Sequence, residues 1–280
     1  MSGTLYIVAT PIGNLDDLAP RARQTLVDAD LIAAEDTRHT GRLLLHIGAK
    51  TPQKALHDHN ENEAVPGLIE ALESGKDVAL VSDAGTPLIS DPGYRLVQAA
   101  HERGITVSPV PGPSAAIAAL SAAGLPSDRF CFEGFLPSKL KARADALKSL
   151  ATEVRSMIFY ESVHRVSDTV AAMIDTFGSE RAAFLGRELS KLHEQCLAGT
   201  LGDIAAGLAD GNIPAKGEFV LVVAGADETQ ESSLDSDALI VELAKVLPGK
   251  QAAEIAARVT GGKRNAMYQR MLELTRDGDS

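Results

Sequence analysis

The stretch Ser82-Asp83-Ala84-Gly85-Thr86-Pro87 sets a carboxylate and two hydroxyls around a glycine. Ala84-Gly85 lets a ligand lie against bare main chain, Thr86 offers a hydroxyl, and Pro87 fixes the direction in which the chain leaves. Asp83 and Asp91 cannot both be buried without partners. Asp91-Pro92-Gly93 reads as the start of the next helix, with Asp91 as N-cap and Pro92 at the first helical position. That leaves Asp83 as the acid available to a ligand. Thr10-Pro11-Ile12-Gly13-Asn14 is a second loop of this kind. It is neither G-x-G-x-x-G nor a P-loop, so a plain turn and a ligand loop both satisfy it.

Four further polar groupings carry possible chemistry. Glu35-Asp36-Thr37-Arg38 and His57-Asp58-His59-Asn60-Glu61 read as polar walls of a site. His57 and His59 share one side of an extended chain, but no third ligand accompanies them, and no metal is expected. Tyr160-Glu161-Ser162-Val163-His164-Arg165 and Gly186-Arg187-Glu188-Leu189-Ser190-Lys191-Leu192-His193-Glu194 each follow a strand-like run, as helix-capping chemistry or as cleft walls. No G-x-S-x-G elbow or H-E-x-x-H is present, which argues against a serine hydrolase or a zincin.

The elements that must position these residues alternate. Leu5–Ala9, Leu31–Ala34, Val78–Val81 and Ile105–Val107 are short, apolar and bounded by turn residues, as buried strands are. Pro20–Asp28, Arg38–Ile47, Asn62–Ser74 and Tyr94–Arg103 read as helices between them. Strand alternating with helix predicts βαβ units and a parallel sheet. Val110-Pro111-Gly112-Pro113-Ser114 breaks the pattern and marks a domain junction, with Ser114 as N-cap of Ala115–Ala123. Beyond it, strands at Phe130–Phe135, Met157–Tyr160, Ala182–Arg187, Glu194–Gly199 and Glu218–Val223 surround helices at Lys139–Leu150, Val166–Phe177 and Leu201–Asp210. The close pair 182–187 and 194–199 predicts a hairpin and hence a mixed sheet. The fold class is therefore α/β: a parallel-sheet domain over 1–112, a mixed-sheet domain over 113–226, an acidic linker at 227–237 and a helical module at 238–280. In that module Ala238–Leu247, Gln251–Val259 and Lys263–Thr275 form either a helix-turn-helix-like unit or a stabilising tail.

With 280 residues, 45% hydrophobic and 23% charged, the chain is long enough for about two globular domains. Cys131 and Cys196 stand alone, which excludes a disulfide framework and suits a reducing cytosol. The N-terminus lacks a basic signal-like region and no apolar run reaches the ~20 residues that span a bilayer; a cytoplasmic protein without membrane contact is expected. The net charge of −11 argues against wholesale nucleic-acid binding. The average hides two basic segments, Ile240–Arg276 with seven basic residues against three acidic, and Pro137–Arg165 with six against three. Either is a solvated helical face or a nucleic-acid contact.

Taken in order, Leu5–Asp17, Ala34–Thr40, Val81–Gly93, Pro109–Ala115, Phe159–Arg165, Gly186–Glu194 and Lys216–Val222 resemble the tetrapyrrole methylase superfamily of S-adenosylmethionine-dependent methyltransferases. Within it they resemble the branch acting on 16S rRNA. The resemblance implies two α/β domains with S-adenosylmethionine between them, and a homodimer. It places the cofactor on Pro11, Asp83, Gly85, Thr86, Ile89, Ser114, Ala115, Tyr160, Leu189, Lys216 and Gly217. It implies 2'-O-methylation of a cytidine ribose, with 16S rRNA or the 30S subunit as partner. A displacement at the methyl group requires an aligned hydroxyl, helped by a base or by a cation that lowers its pKa. Candidates for this chemistry are Glu161, Glu188, His164, Lys191 and Lys216, without an order among them, and Arg187 joins Glu161 on the substrate side. His59, Asn60, His164, Arg165, Lys263 and Arg264 are the substrate-side candidates. Two alternatives stand beside this reading: methyl transfer to a tetrapyrrole or other small molecule, and a ligand-sensing DNA-binding regulator.

Overall fold

In the computed structural model, which describes residues 2–227 and 236–277, the first five strands pair without exception in parallel. They are β1 (Thr4–Val8), β2 (Leu31–Ala34), β3 (Gln53–Ala55), β4 (Val78–Val81) and β5 (Thr106–Val110), in the order β3-β2-β4-β1-β5. The edge strand β3 was not expected from the sequence: it is three residues of Gln, Lys and Ala without β-branching, held only by its pairing with β2. β4 is buried at every position, as a strand covered on both faces must be. Helices α1 (Pro20–Asp28) and α2 (Thr37–Ile47) lay Leu26, Leu43 and Leu44 on Val8, Ile32 and Val81. Helices α3 (Glu61–Glu73) and α4 (Tyr94–Glu102) lay Leu68, Leu72 and Leu96 on Leu5, Ala33 and Val78. Each such side chain contributes about 1.5–3 kcal/mol on burial.

This order has a functional consequence. The connection from β1 through α1 to β2 runs one way along the sheet, and that from β4 through α4 to β5 runs the other way on the opposite face. β1 and β4 are neighbours, so their following loops part and leave a crevice at the carboxyl ends of the strands, where open α/β sheets bind ligands.

The second sheet is built from β6 (Phe130–Phe135), β7 (Ser156–Ser162), β8 (Ala182–Arg187), β9 (Gln195–Thr200) and β10 (Glu218–Val223). Its order is β6-β7-β10-β8-β9, with β6 and β7 parallel and the rest antiparallel, so it is mixed. On one face α5 (Ala115–Ala122) packs Ala116 and Ala119 on Ile158, Phe184 and Val220. On the other, α6 (Leu140–Ser149), α7 (Val166–Phe177) and α8 (Leu201–Ala209) bury Leu147, Val170, Met173 and Ile204. Ser114 sits at the N-cap of α5 but gives it no side-chain hydrogen bond.

Both sheets belong to one compact unit, Met1–Ala151 with Arg155–Ala224; the junction expected at 112/113 falls between them. A second unit comprises Thr152–Val154 and Gly225–Ser280. It contains α9 (Ser236–Val246), α10 (Gly249–Thr260) and α11 (Arg264–Asp277) around Ile240, Ala252, Ala256 and Met271. Arg270 Nε and Nη2 donate to the Asp237 carboxylate at 3.0 and 2.6 Å, fastening α11 to α9. Gly261 ends α10 in the left-handed conformation, as expected of that punctuation. The acidic linker expected at 227–237 lies, over 228–235, outside the described residues.

Candidate active site

The loops after β1 and β4 are joined to each other. Thr10 N–H donates to Gly85 O at 2.8 Å, Gly85 N–H returns to Thr10 O at 3.1 Å, and the Thr10 hydroxyl donates to Ser82 O. Gly85 has φ 85°, and a side chain there would press on Ile12. The Thr86 hydroxyl donates to Pro113 O at 3.0 Å and ties this loop to the entry of the second sheet. Among the described residues, the non-glycine residues at positive φ are Leu88, Ser90, Glu188 and Ser190. All four lie in the loop after β4 or the loop after β8. Each costs about 1–3 kcal/mol unless its surroundings compensate, and such strain concentrates at ligand sites.

Asp91 is not the helix cap expected of it. Helix α4 starts at Tyr94 with Gly93 as N-cap, and the carboxylate of Glu61 accepts from Gly93 N–H and Arg95 N–H at 3.2 and 3.0 Å. Because a residue from α3 serves that helix end, Asp91 is free to face the crevice. There it is half-buried: burial, outweighing a hydrogen bond from Ser82 and reinforced by the charges of Glu35, Asp83 and Asp58, lifts its carboxyl to about 6. Glu35 is raised for the same leading reason, burial, with Asp83, Asp58 and Asp36 adding to it.

The second sheet supplies the opposite wall. The Tyr160 hydroxyl accepts from Ala116 N–H at 3.1 Å, and its ring meets Phe132 and Phe135 edge-on, with centroids 5.0 and 5.6 Å away. A β-bulge between Phe132 and Gly134 turns β6 at this point. Leu189 folds back over Gly186, where a Cβ would meet its side chain at 3.0 Å. Gly217, at φ 90°, lies against the Glu188 carboxyl so closely that a Cβ would fall 2.4 Å from it.

Between these walls lies a cavity of about 430 Å³, within the range of small-molecule sites. Ile12, Ile89, Phe135, Leu189 and Val220 make it largely apolar, and Asp91, Thr86 and Tyr160 supply the polar groups. Apolar slots for a flat base and thioether-like carbons, plus one acid that a cation would restore to its charged form, suit an adenosyl sulfonium. The residues fit S-adenosylmethionine.

Of the cofactor candidates, Gly85, Thr86, Ile89, Ser114, Ala115, Tyr160, Leu189 and Gly217 line this cavity. Pro11 and Asp83 line an adjoining pocket instead. Asp83 Oδ1 accepts from Asp36 N–H while its own N–H donates to Glu35. Lys216 is exposed, and its carbonyl accepts from Arg187. Glu161 borders the cavity, yet its carboxylate is fully engaged: Arg165 at 2.7 Å, the Thr169 hydroxyl at 2.7 Å and Ser162 N–H at 2.7 Å. Arg165 also donates to Leu136 O. Arg187 is buried and binds the carbonyls of Lys216 and His193, holding the two loops beside the site. Burial opposes the charge of Glu188, but hydrogen bonds from Lys191 and Glu218 N–H, with the Lys191 and Arg187 charges, prevail and hold its carboxyl below the usual value. Burial likewise pulls Lys191 down, but Glu188 and Glu218 at 2.9 and 3.0 Å hold its ammonium above the ordinary value. His164 is exposed and outside the cavity. His59 meets His57 edge-on, and Asn60 binds His57 N–H and Ala55 O, closing its own turn. Lys263 and Arg264 are exposed in the other unit. Sequence reasoning missed Asp91, Ile12, Phe135 and Val220 as wall residues; the position of Ile12 within a strand-end loop was the one available signal.

Two α/β sheets thus enclose a cavity walled by strained loops, as in an enzyme that takes a small-molecule ligand. The family model for Tetrapyrrole (Corrin/Porphyrin) Methylases matches residues 4–205, and that for the RsmI C-terminal HTH domain matches 230–275. The chain is 52% identical to the ribosomal RNA small subunit methyltransferase I of Escherichia coli O157:H7, covering 97% of this chain and 95% of that protein. It is 51% identical to the protein of that name from Haemophilus influenzae, covering 96% of each. A uroporphyrin-III C-methyltransferase of Thermus thermophilus, solved with S-adenosyl homocysteine, shares the fold at 17% identity and a TM-score of 0.54, over 79% of this chain and 97% of that one. The chain belongs to the tetrapyrrole methylase family, in its ribosomal RNA small subunit methyltransferase I branch. Its cofactor is S-adenosylmethionine.

Proposed function

We propose that this protein transfers the methyl group of S-adenosylmethionine to the 2'-oxygen of a cytidine ribose, cytidine 1402, in the 16S RNA of the small ribosomal subunit. One observation carries the reading: identity of about half with proteins named for that RNA runs the length of the chain, through the cavity and the C-terminal helices alike. The site belongs to a cytoplasmic homodimer in this reading, and the basic segment Ile240–Arg276 contacts the RNA.

The donor supplies a methyl group activated on a positive sulfur. Thr86, Tyr160, Leu189 and Gly217 would hold it, with Asp91 turned to its positive charge. The chain's remaining task is to align the acceptor hydroxyl in line with that methyl, which supplies much of the rate. Neither glutamate is poised to take the proton: both Glu161 oxygens are engaged, and Glu188 is held below its usual value. Lys191 remains an ammonium, and its charge stabilises the developing alkoxide while the proton passes to water. Tritiated methyl transfer to 30S subunits, followed by alkaline digestion, tests this. One alkali-resistant linkage carrying the label is expected. Label in a base, or in a tetrapyrrole rather than in RNA, overturns it.

A further inference from the structure

Beside the cofactor cavity lies a second pocket, of about 340 Å³, which shares Ile12, Ala84 and Glu218 with it. Its chemistry differs. His39 and Arg42, three apart on α2, share one helix face and both line it. Neither side chain has a hydrogen bond or ion pair with another described residue, whereas Arg38, on the same helix but outside the pocket, is engaged by Asp36 at 2.7 Å. Lys191 closes the side toward the first cavity, its carbon chain lying on Gly13 so tightly that a Cβ there would sit 2.3 Å from it. Of the two carboxylates that line it, Glu218 is paired with Lys191 at 3.0 Å, which leaves Asp83 facing these cations. One of its oxygens accepts from Asp36 N–H, and the other has no partner among the described residues.

We infer that this pocket seats the acceptor nucleotide of the RNA, with a backbone phosphate on Arg42 and His39 and a ribose hydroxyl toward Asp83. The assignment rests on the RNA reading above and adds which residues receive the chain. The mixture of groups selects the ligand. A cation would meet Arg42 and Lys191. An anion without hydroxyls would meet Asp83 with nothing to donate to it. A ribose-phosphate unit presents an anion and hydroxyl donors a few ångströms apart, and a guanidinium left unpaired is suited to phosphate oxygens. The shared Ile12 and Ala84 wall sets that ribose next to the donor cavity.

The test uses the full-length protein without donor and a 16S RNA fragment carrying the acceptor cytidine, with affinity read by fluorescence anisotropy over a salt series. Arg42→Gln is expected to weaken RNA binding about ten-fold and to reduce the slope of log affinity against log salt by about 0.7, the value for one phosphate contact on single-stranded RNA. His39→Gln should weaken it by a smaller factor, and Arg42→Lys should restore the slope. Arg38→Gln, whose charge is already engaged, should stay within two-fold of the parent. S-adenosylhomocysteine affinity, measured by calorimetry, should be unchanged in all four and shows that each is folded. An Arg42→Gln protein with parental affinity and slope overturns the pocket assignment while leaving the functional reading intact. A parent protein that methylates no 16S RNA overturns that reading, and the assignment with it.

Discussion

Replacing Asp91 by Asn should stabilise this protein while weakening its hold on the methyl donor, and both effects can be sized. The Asp91 carboxyl stands at about 6 against an ordinary 3.8, chiefly because burial penalises its charge. At 1.36 kcal/mol per pH unit this corresponds to about 3 kcal/mol, and solvent screening of a half-exposed group reduces it to about 1–2 kcal/mol. The sign follows from linkage. A carboxyl raised in the folded state favours the fold when protonated, so its contribution is fully present below 3.8 and is lost as pH rises through about 6. At pH 8 the charged Asp91 is therefore a burden that the amide removes. Urea unfolding followed by far-UV circular dichroism should find Asp91→Asn more stable by about 1–2 kcal/mol at pH 8, with the difference vanishing by pH 4. Donor affinity at pH 8 should fall about ten-fold, because a cation loses its compensating charge. A stability difference independent of pH, or a variant less stable at pH 8, would refute the account of Asp91 as a strained acid awaiting a cation.

Gly217→Ala forces a side chain at φ 90° into the Glu188 carboxyl; methyl transfer should fall at least ten-fold, with a stability cost of about 1–2 kcal/mol in denaturant titration. Glu161→Gln removes the buried partner of Arg165 and Thr169 and should cost about 3 kcal/mol of stability, while single-turnover methylation on folded protein stays within two-fold. A hundred-fold loss of rate at full stability would instead make Glu161 the base. Reversing the exposed charges with Lys263→Glu and Arg264→Glu should weaken 30S binding and flatten its salt dependence, with S-adenosylhomocysteine affinity unchanged by calorimetry.

The strand-helix alternation and the mixed second sheet were legible in the sequence because they rest on local signals, whereas the cofactor candidates came from the family resemblance. Short β-branched runs make buried strands, and a glycine before a proline at a strand end makes a ligand loop. What escaped depends on residues distant in the chain. Asp91 reads as a helix cap because Asp-Pro-Gly is ordinary cap chemistry; only folding brings Glu61 across from α3 to take that role and release Asp91 into the cavity. Asp83 moved the other way: a strand-end acid beside Gly85 reads as a donor contact, but the hydrogen bond to Asp36 N–H turns it toward the neighbouring pocket. Glu161 and Arg165 are four apart, a spacing that suits an ion pair as well as a reactive carboxylate, and burial decides between them. The two aspartates thus divide the site along chemical lines. The acid raised by burial lies with the donor, where a fixed positive charge would restore it, and the acid facing arginine, histidine and lysine lies where the acceptor's phosphate and hydroxyls meet. Exchanging the two environments would leave a phosphate facing an uncompensated carboxylate and a sulfonium facing cations, so the division follows from charge complementarity across a shared wall.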